Sequence, residues 1–433
     1  MAFSLAQAYT NAVSGLSSGG TLFASDLTSG VTPASVPGGK TGEAVILNSG
    51  SYTFPAGYSF LTISTNTPVR LDETAIGSST DVLAGLGGTT LLGGAGGGLF
   101  VAGGGANVFE GLSTGGGNYV IALSQGNDSV YANSGNDLIY ADAGNNQIFT
   151  GTGNDTVFSS GTDSIVAGSG SNTIGLTGSN STVFGGTGSL FMADAGSNNL
   201  FVGGSGSSIL FDGAYATDYL AGPSTVIGGT NDTINASAGN ALIFGGSNSV
   251  INDSGSGTLS FIANPGLNDT VNSAGAATVF GASNANIVFS SSAGMSYLIA
   301  ATGNETLNGS GAAGSLDLFG NGSSTDLIGG SGNDTLVAGT GNNTLTGGQG
   351  NNMFIFAQGG AGGADMISDF AKSAGNMVGL FGYGAGAVQT ALAGATDNGA
   401  GGSVISLSDK TTITFTDLTA AQLKAHAGQF FSN

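Results

Sequence analysis

A chain of 433 residues with 83 Gly, 5 Lys and Arg against 26 Asp and Glu, and no Cys or Trp is not an average globular enzyme, since ordinary domains carry about 25% charged residues and about 7% Gly. Nor is it a disordered acidic chain, because 40% of its residues are hydrophobic and can build a long core. A net charge of -21 without a basic stripe excludes nucleic acid as a partner, and a chain without Cys has no disulfide framework, thiolate metal site or Cys nucleophile.

In residues 1–80, Leu5, Tyr9, Val13 and Leu16 fall at helical spacing. Val45, Leu47, Tyr52, Phe54, Tyr58, Phe60 and Val69 read as β between Pro and Gly breaks. The region is expected to be a cap over an open sheet edge, or a docking segment for the next molecule. The first basic residue is Lys40, so no Sec signal is expected. No apolar run approaches the roughly 18 residues of a membrane span, so no membrane insertion is expected.

From about Asp81 a period of nine takes over. Gly126-Asn127-Asp128-Ser129-Val130-Tyr131 is followed by Gly135-Asn136-Asp137-Leu138-Ile139-Tyr140, then by Gly144-Asn145-Asn146 and Gly153-Asn154-Asp155. The period returns at Gly332-Asn333-Asp334, Gly341-Asn342-Asn343 and Gly350-Asn351-Asn352, and drifts to eight or ten residues in between. Such a repeat gives a strand of about three residues and a Gly-rich turn, so that two repeats close one coil. Stacked at about 4.8 Å, the coils make two parallel sheets face to face. Val130, Ile139, Ile148, Val157, Ile165 and Ile174 should point between them. Gly serves turns at positive φ, a region Asn and Asp also tolerate.

These residues resemble the calcium-binding nonapeptides of the repeats-in-toxin class, G-G-x-G-x-D-x-U-x. The resemblance implies an all-β, right-handed parallel β-roll over residues 81–356 with small caps at 1–80 and 357–433. It also implies Ca2+ held by Asp and turn carbonyls of one loop with the loop one coil above. The best pair is Asp137 with Asp155. Asp128 faces Asn146 and then Asp163, while Asp317 and Asp326 precede Asp334, which pairs with Asp317 or Asn352. Asp232, Asp269 and Glu305 are isolated exceptions in a stretch otherwise Ser, Asn or Ala at this phase. Asn keeps the oxygen and loses the charge, so its sites should be weaker. Gly-Asn-Asp is also good turn chemistry without any ion.

Gly350-Asn351-Asn352-Met353-Phe354-Ile355-Phe356, followed by Asp365-Met366-Ile367-Ser368-Asp369-Phe370, is similar to the end of the repeat module of serralysin-type proteases. That likeness implies calcium at Asp365 and Asp369 and an uncleaved signal for type I secretion, although Asn376 and Gly379 stand where the family has Asp. Thr411–Phe415 reads as a closing strand and Thr419 to Phe430 as a helix.

Catalytic signals are missing. His426 is the only histidine, Arg70 the only arginine, and there is no H-E-x-x-H, G-x-S-x-G or phosphate loop; no enzyme and no catalytic residues are expected. The residue after each inward one is often aromatic: Tyr131, Tyr140, Phe149, Phe158, Phe184, Phe201, Phe211, Phe244, Phe280, Phe289 and Phe319. Either these rings finish the narrow core at its corners or they form an apolar stripe that another subunit covers. The expected function is a secreted, calcium-dependent protein that self-assembles at the bacterial surface or in the extracellular matrix of a biofilm, as a surface-layer or filament subunit. The alternative is a calcium-dependent adhesin or polysaccharide-binding module.

Overall fold

The nine-residue spacing becomes two stacks of short parallel strands in a computed structural model that describes residues 2–322 and 324–433. Of the predicted cap at 1–80, Met1 lies outside the described residues. The chain divides into two compact units, one ending at Pro223 and the other spanning Ser224–Asn433.

In the first unit a first sheet runs coil by coil from Leu22–Leu27 through Tyr119–Leu123, Leu138–Ala141 and Thr156–Ser159 to Ser208–Phe211. A second sheet runs from Gly50–Thr53 through Ser129–Tyr131 and Gln147–Phe149 to Thr217–Leu220. The inward residues Val130, Ile139, Ile148, Val157, Ile165 and Ile174 are all 0% exposed. Register follows the repeat, with Val130 beside Ile148 and Ile139 beside Val157.

Coils therefore start at Leu22, well before the periodic stretch, and strands Thr41–Ile46, Tyr58–Ile63 and Val69–Asp72 belong to the same two sheets. Their turns differ in length and lack Gly-Asn-Asp, which hides them from a search for a period. Helix α1 (Ala2–Ser18) follows from Leu5, Tyr9, Val13 and Leu16. It packs on the outer face of the first sheet: Tyr9 hydrogen-bonds Thr62 at 3.0 Å and meets the Phe60 ring edge-on at 5.5 Å.

The second unit repeats the plan, from Ser224–Ile227 to Phe430–Ser432 in one sheet and from Thr233–Ala236 to Thr412–Phe415 in the other. The coil persists past residue 356, because Ala364–Ile367 pairs with Thr344–Thr346 and Met377–Phe381 with Met353–Ala357. Longer inserts interrupt it, including helix α2 (Ala387–Ala393) and helix α3 (Ala420–Ala425). Thr419 and Gln422 form a capping box at the start of α3, which is shorter than the helix expected to Phe430.

Two rings expected to point outward are core. Phe201 is 1% and Phe289 0% exposed; Phe201 shares its inward column with Val183, and Phe289 with Val271. Tyr140, Phe244 and Phe319 are half-buried, and the other six rings are exposed.

Candidate metal centre

Each Gly-Asn-Asp turn fastens itself to both neighbouring coils. At the buried third position a side-chain oxygen accepts the amide of the residue one coil earlier. Asp137 Oδ1 accepts from Tyr119 N at 2.7 Å, Asp155 Oδ1 from Asp137 N at 2.8 Å, and Asn172 Oδ1 from Asp155 N at 3.1 Å. The other edge carries Asn107, Asp128, Asn146, Asp163, Ser181 and Asn199 in the same way. In the second unit Asp334 accepts from Leu316 N, Asn352 from Asp334 N, and Asp365 from Asn343 N. The exposed Asn before it works in the opposite direction: Asn136 Oδ1 accepts Asn154 N, and Asn333 Oδ1 accepts Asn351 N, both at 2.8 Å. These ladders satisfy buried turn amides that no strand can reach.

The buried carboxylates have little to balance their charge. Burial pushes Asp137 up to about 7, with the Asp155 carboxylate one coil away adding to it. Burial holds Asp155, Asp269 and Asp365 at about 6, and also raises Asp128, Asp163 and Asp334. One oxygen each of Asp128, Asp155, Asp269 and Asp365 is buried without a well-formed hydrogen bond. Beside them the turns are open at glycine: a Cβ on Gly153 would lie 1.4 Å from the Gly135 carbonyl oxygen and 3.1 Å from Asp155 Oδ1. A Cβ on Gly126 would lie 2.5 Å from the Gly105 carbonyl and 3.2 Å from Asp128 Oδ1. Buried carboxylates that keep one oxygen uncommitted, with the other oxygen in a turn of main-chain carbonyls too tight for a Cβ, suit a hard divalent cation that takes 6–8 oxygens. Among the described residues no three His, Asp or Glu side chains converge, so carbonyls must supply most ligands. Asp137 with Asp155, and Asp128, Asp269 and Asp365 with their turns, could hold calcium in this way.

The remaining candidates sit differently. Asp163 is engaged by Asn146 and by Ser159 Oγ at 2.6 Å, and Asp334 by Leu316 N and Gly330 N. Asp369 accepts Gly347 N and Gly348 N and lies 3.8 Å from the Lys372 ammonium. Asp232 is buried and accepts Gly229 N. Asp317 and Asp326 are not in turns: they lie within strands Ser315–Phe319 and Thr325–Ile328, in register with Thr335 and Thr344. It is Leu316 that shares the Asp334 phase.

Two glutamates complete the set, one named from its place in the repeat and one not. Glu305 is buried at the third position of Gly303-Asn304-Glu305 and pushed up to about 7 by burial. Glu73 lies outside the repeat, 1% exposed. Its Oε2 accepts Thr80 Oγ1 at 2.9 Å and Tyr119 OH at 3.3 Å, and Oε1 is buried without a partner. No sequence signal marked it, because it reaches this column from the preceding turn.

Burial raises Glu73 from 4.5 to about 7. The folded state then holds this proton more tightly than the unfolded chain, so the contribution is complete below pH 4.5 and lost as pH rises through about 7, on the order of 3 kcal/mol in all. Glu73→Gln keeps the acceptor and cannot ionise. Thermal melts in calcium should show it level with wild type at pH 4.5 and more stable at pH 8; the same offset at both pH values would sink this assignment.

A family model described as the RTX calcium-binding nonapeptide repeat (4 copies) matches residues 124–157, 226–249, 319–354 and 328–367. These segments contain Asp128, Asp137, Asp155, Asp232, Asp326, Asp334 and Asp365. No curated protein and no solved structure matches the chain.

Proposed function

Because the chain carries RTX calcium-binding nonapeptide repeats, we propose that it is a secreted structural protein whose calcium-held roll self-assembles at the bacterial surface or in the extracellular matrix, as a surface-layer or filament subunit. The observation that carries this reading is the outer surface of the first unit. On the second sheet Tyr131, Phe149, Val166, Phe184, Val202 and Tyr219 stand in one column across successive coils. Tyr131 and Phe149 stack at 5.1 Å and 6°, yet each is 37% exposed; Tyr219 is 51% exposed. On the first sheet Tyr140 and Phe158 stack at 5.5 Å and 15°, with Phe158 45% exposed. Stacking leaves the outer edges of these rings in water, and the surface has few charges to offset them. Charged residues are 7% of the chain, against roughly 25–35% on surfaces adapted to remain dispersed.

RTX β-rolls are typically extracellular and structural rather than catalytic. Export by a type I machinery fits the calcium-binding repeats and the Asp365-to-Phe370 segment. Among the described residues no helix is long and apolar enough to cross a membrane. Electron microscopy of the purified chain should show ordered sheets or fibres with calcium and none with chelator. A protein that stays monomeric at high concentration in calcium would overturn self-assembly; retention on a polysaccharide column would then favour the adhesive reading.

A further inference from the structure

One outward column on the first sheet of the first unit passes through Thr62, Leu83, Val101, Ala122, Tyr140, Phe158, Gly175, Ala193 and Phe211, each in register with the next. Helix α1 covers its first part. Tyr9 bonds Thr62, the helix touches strands Thr80–Leu83, Gly98–Val101 and Tyr119–Leu123, and Val101 and Ala122 are buried although they face outward. From Tyr140 onward the same face continues without cover.

That uncovered stretch has a knob and a hole. The knob is the stacked pair Tyr140 and Phe158, two coils tall. The hole, floored by Gly175 and Ala193 and closed by Phe211, is also two coils tall and forms part of a depression of about 420 Å³ that reaches from Tyr140 and Asp142 to Phe211. Phe158 leans over its near end, since a Cβ on Gly175 would lie 3.0 Å from the ring. The parallel outward column, Leu138, Thr156, Thr173, Phe191 and Ile209, is uncharged too, and interface centres are depleted of charge in the same way.

The geometry points to a two-fold dimer in which this face packs on its own copy, the Tyr140–Phe158 pair of each chain filling the Gly175–Ala193 hole of the other. This inference rests on the self-assembly reading and specifies its first contact. A two-fold axis lying in the plane between the two faces, perpendicular to the column and level with the gap between Phe158 and Gly175, brings Tyr140 opposite the second copy's Ala193 and Phe158 opposite its Gly175. Both copies share one coil spacing of about 4.8 Å, so the heights of the two rings match those of the two small residues, and the two Phe158 rings meet beside the axis. A patch of this kind is self-complementary, as an isologous contact requires.

The size suits a weak dimer. Five coils at about 4.8 Å and strands of four or five residues at about 3.3 Å give a seat of roughly 24 by 15 Å. Two such faces bury roughly 700 Å² before their ridges are counted, the range of a weak, reversible interface. The second sheet's column has no two-coil gap and can serve only as a ridge. Asp142 and Asp194 border the hole, so the dimer should tighten with salt as their repulsion is screened.

Sedimentation velocity on the full chain in calcium tests this with two variants. Ala193→Glu, at an exposed position, should fold as wild type by circular dichroism and dimerise at least tenfold more weakly. Phe184→Ser, on the second sheet, should leave the dimer intact. Equal dimerisation of Ala193→Glu and wild type overturns the two-fold contact. If Phe184→Ser alone abolishes association, self-assembly stands and this interface falls; if wild type is monomeric, both fall.

Discussion

Chelating calcium is expected to remove most of the β circular dichroism of residues 126–163 and 326–367, and millimolar calcium to restore it. Without the ion, buried carboxylates lack a counter-charge, and at Asp137 and Asp155 two of them stand on neighbouring coils: Asp155 Oδ1 takes the Asp137 amide and its charge raises the Asp137 carboxyl. Gly-rich turns also lose more backbone entropy on ordering than any others. Calcium supplies the counter-charge and ties the turn carbonyls, so its binding free energy appears as folding free energy. A solenoid gains stability coil by coil from nearest neighbours, and the loss should therefore be local. Hydrogen exchange in chelator should open the two repeat segments while protection persists from Leu22 to Val101, where coils lack this pattern. An unchanged spectrum together with unchanged protease resistance would refute it.

The sequence made the coil legible where strand and turn lengths stay constant. Val130, Ile139, Ile148 and Val157 were placed by spacing alone, and so was the juxtaposition of Asp137 with Asp155, because eighteen residues make one coil. Where the length drifts, the phase was lost. Phe289 follows a turn of altered length and takes an inward place, Phe201 takes one in unbroken phase eighteen residues after Val183, and Asp317 and Asp326 carry the right side chain one position outside the turn. The coils from Leu22 to Asp72 were hidden for the same reason. The largest omission was the amide ladder. Asn at the third turn position appeared only as a weaker ligand, whereas Asn146, Asn172 and Asn352 each hold the amide of the coil before them. A side-chain oxygen aimed at a main-chain amide one coil away leaves no periodic mark beyond the residue itself. Positive φ also belongs to Asn rather than Asp: Asn133, Asn180, Asn198, Asn231, Asn248 and Asn284 adopt it and, among the described residues, no Asp does.

The ladder separates two roles that Asp plays at once, and the double variants at Asp137 and Asp155 should tell them apart. Asp137→Asn with Asp155→Asn keeps both acceptors, for Tyr119 N and Asp137 N, and removes two buried charges. Asn172 and Asn146 already show an Asn in this position holding its amide at 3.1 and 3.0 Å. The Asn pair should therefore unfold at a higher temperature than wild type in chelator, and calcium should barely change it in this segment. Asp137→Ala with Asp155→Ala strands the two amides in the protein interior, at about 1–3 kcal/mol each, and should be less stable than the Asn pair with or without calcium. Thermal unfolding of the three proteins in chelator and in calcium gives the comparison. Wild type alone should show a large calcium response here, since only it has both the acceptors and the charge. If the Asn pair were instead weaker than wild type in chelator, the carboxylates would not be a liability in the ion-free coil, and the Asp137–Asp155 turn would be a hydrogen-bonded corner rather than a calcium site.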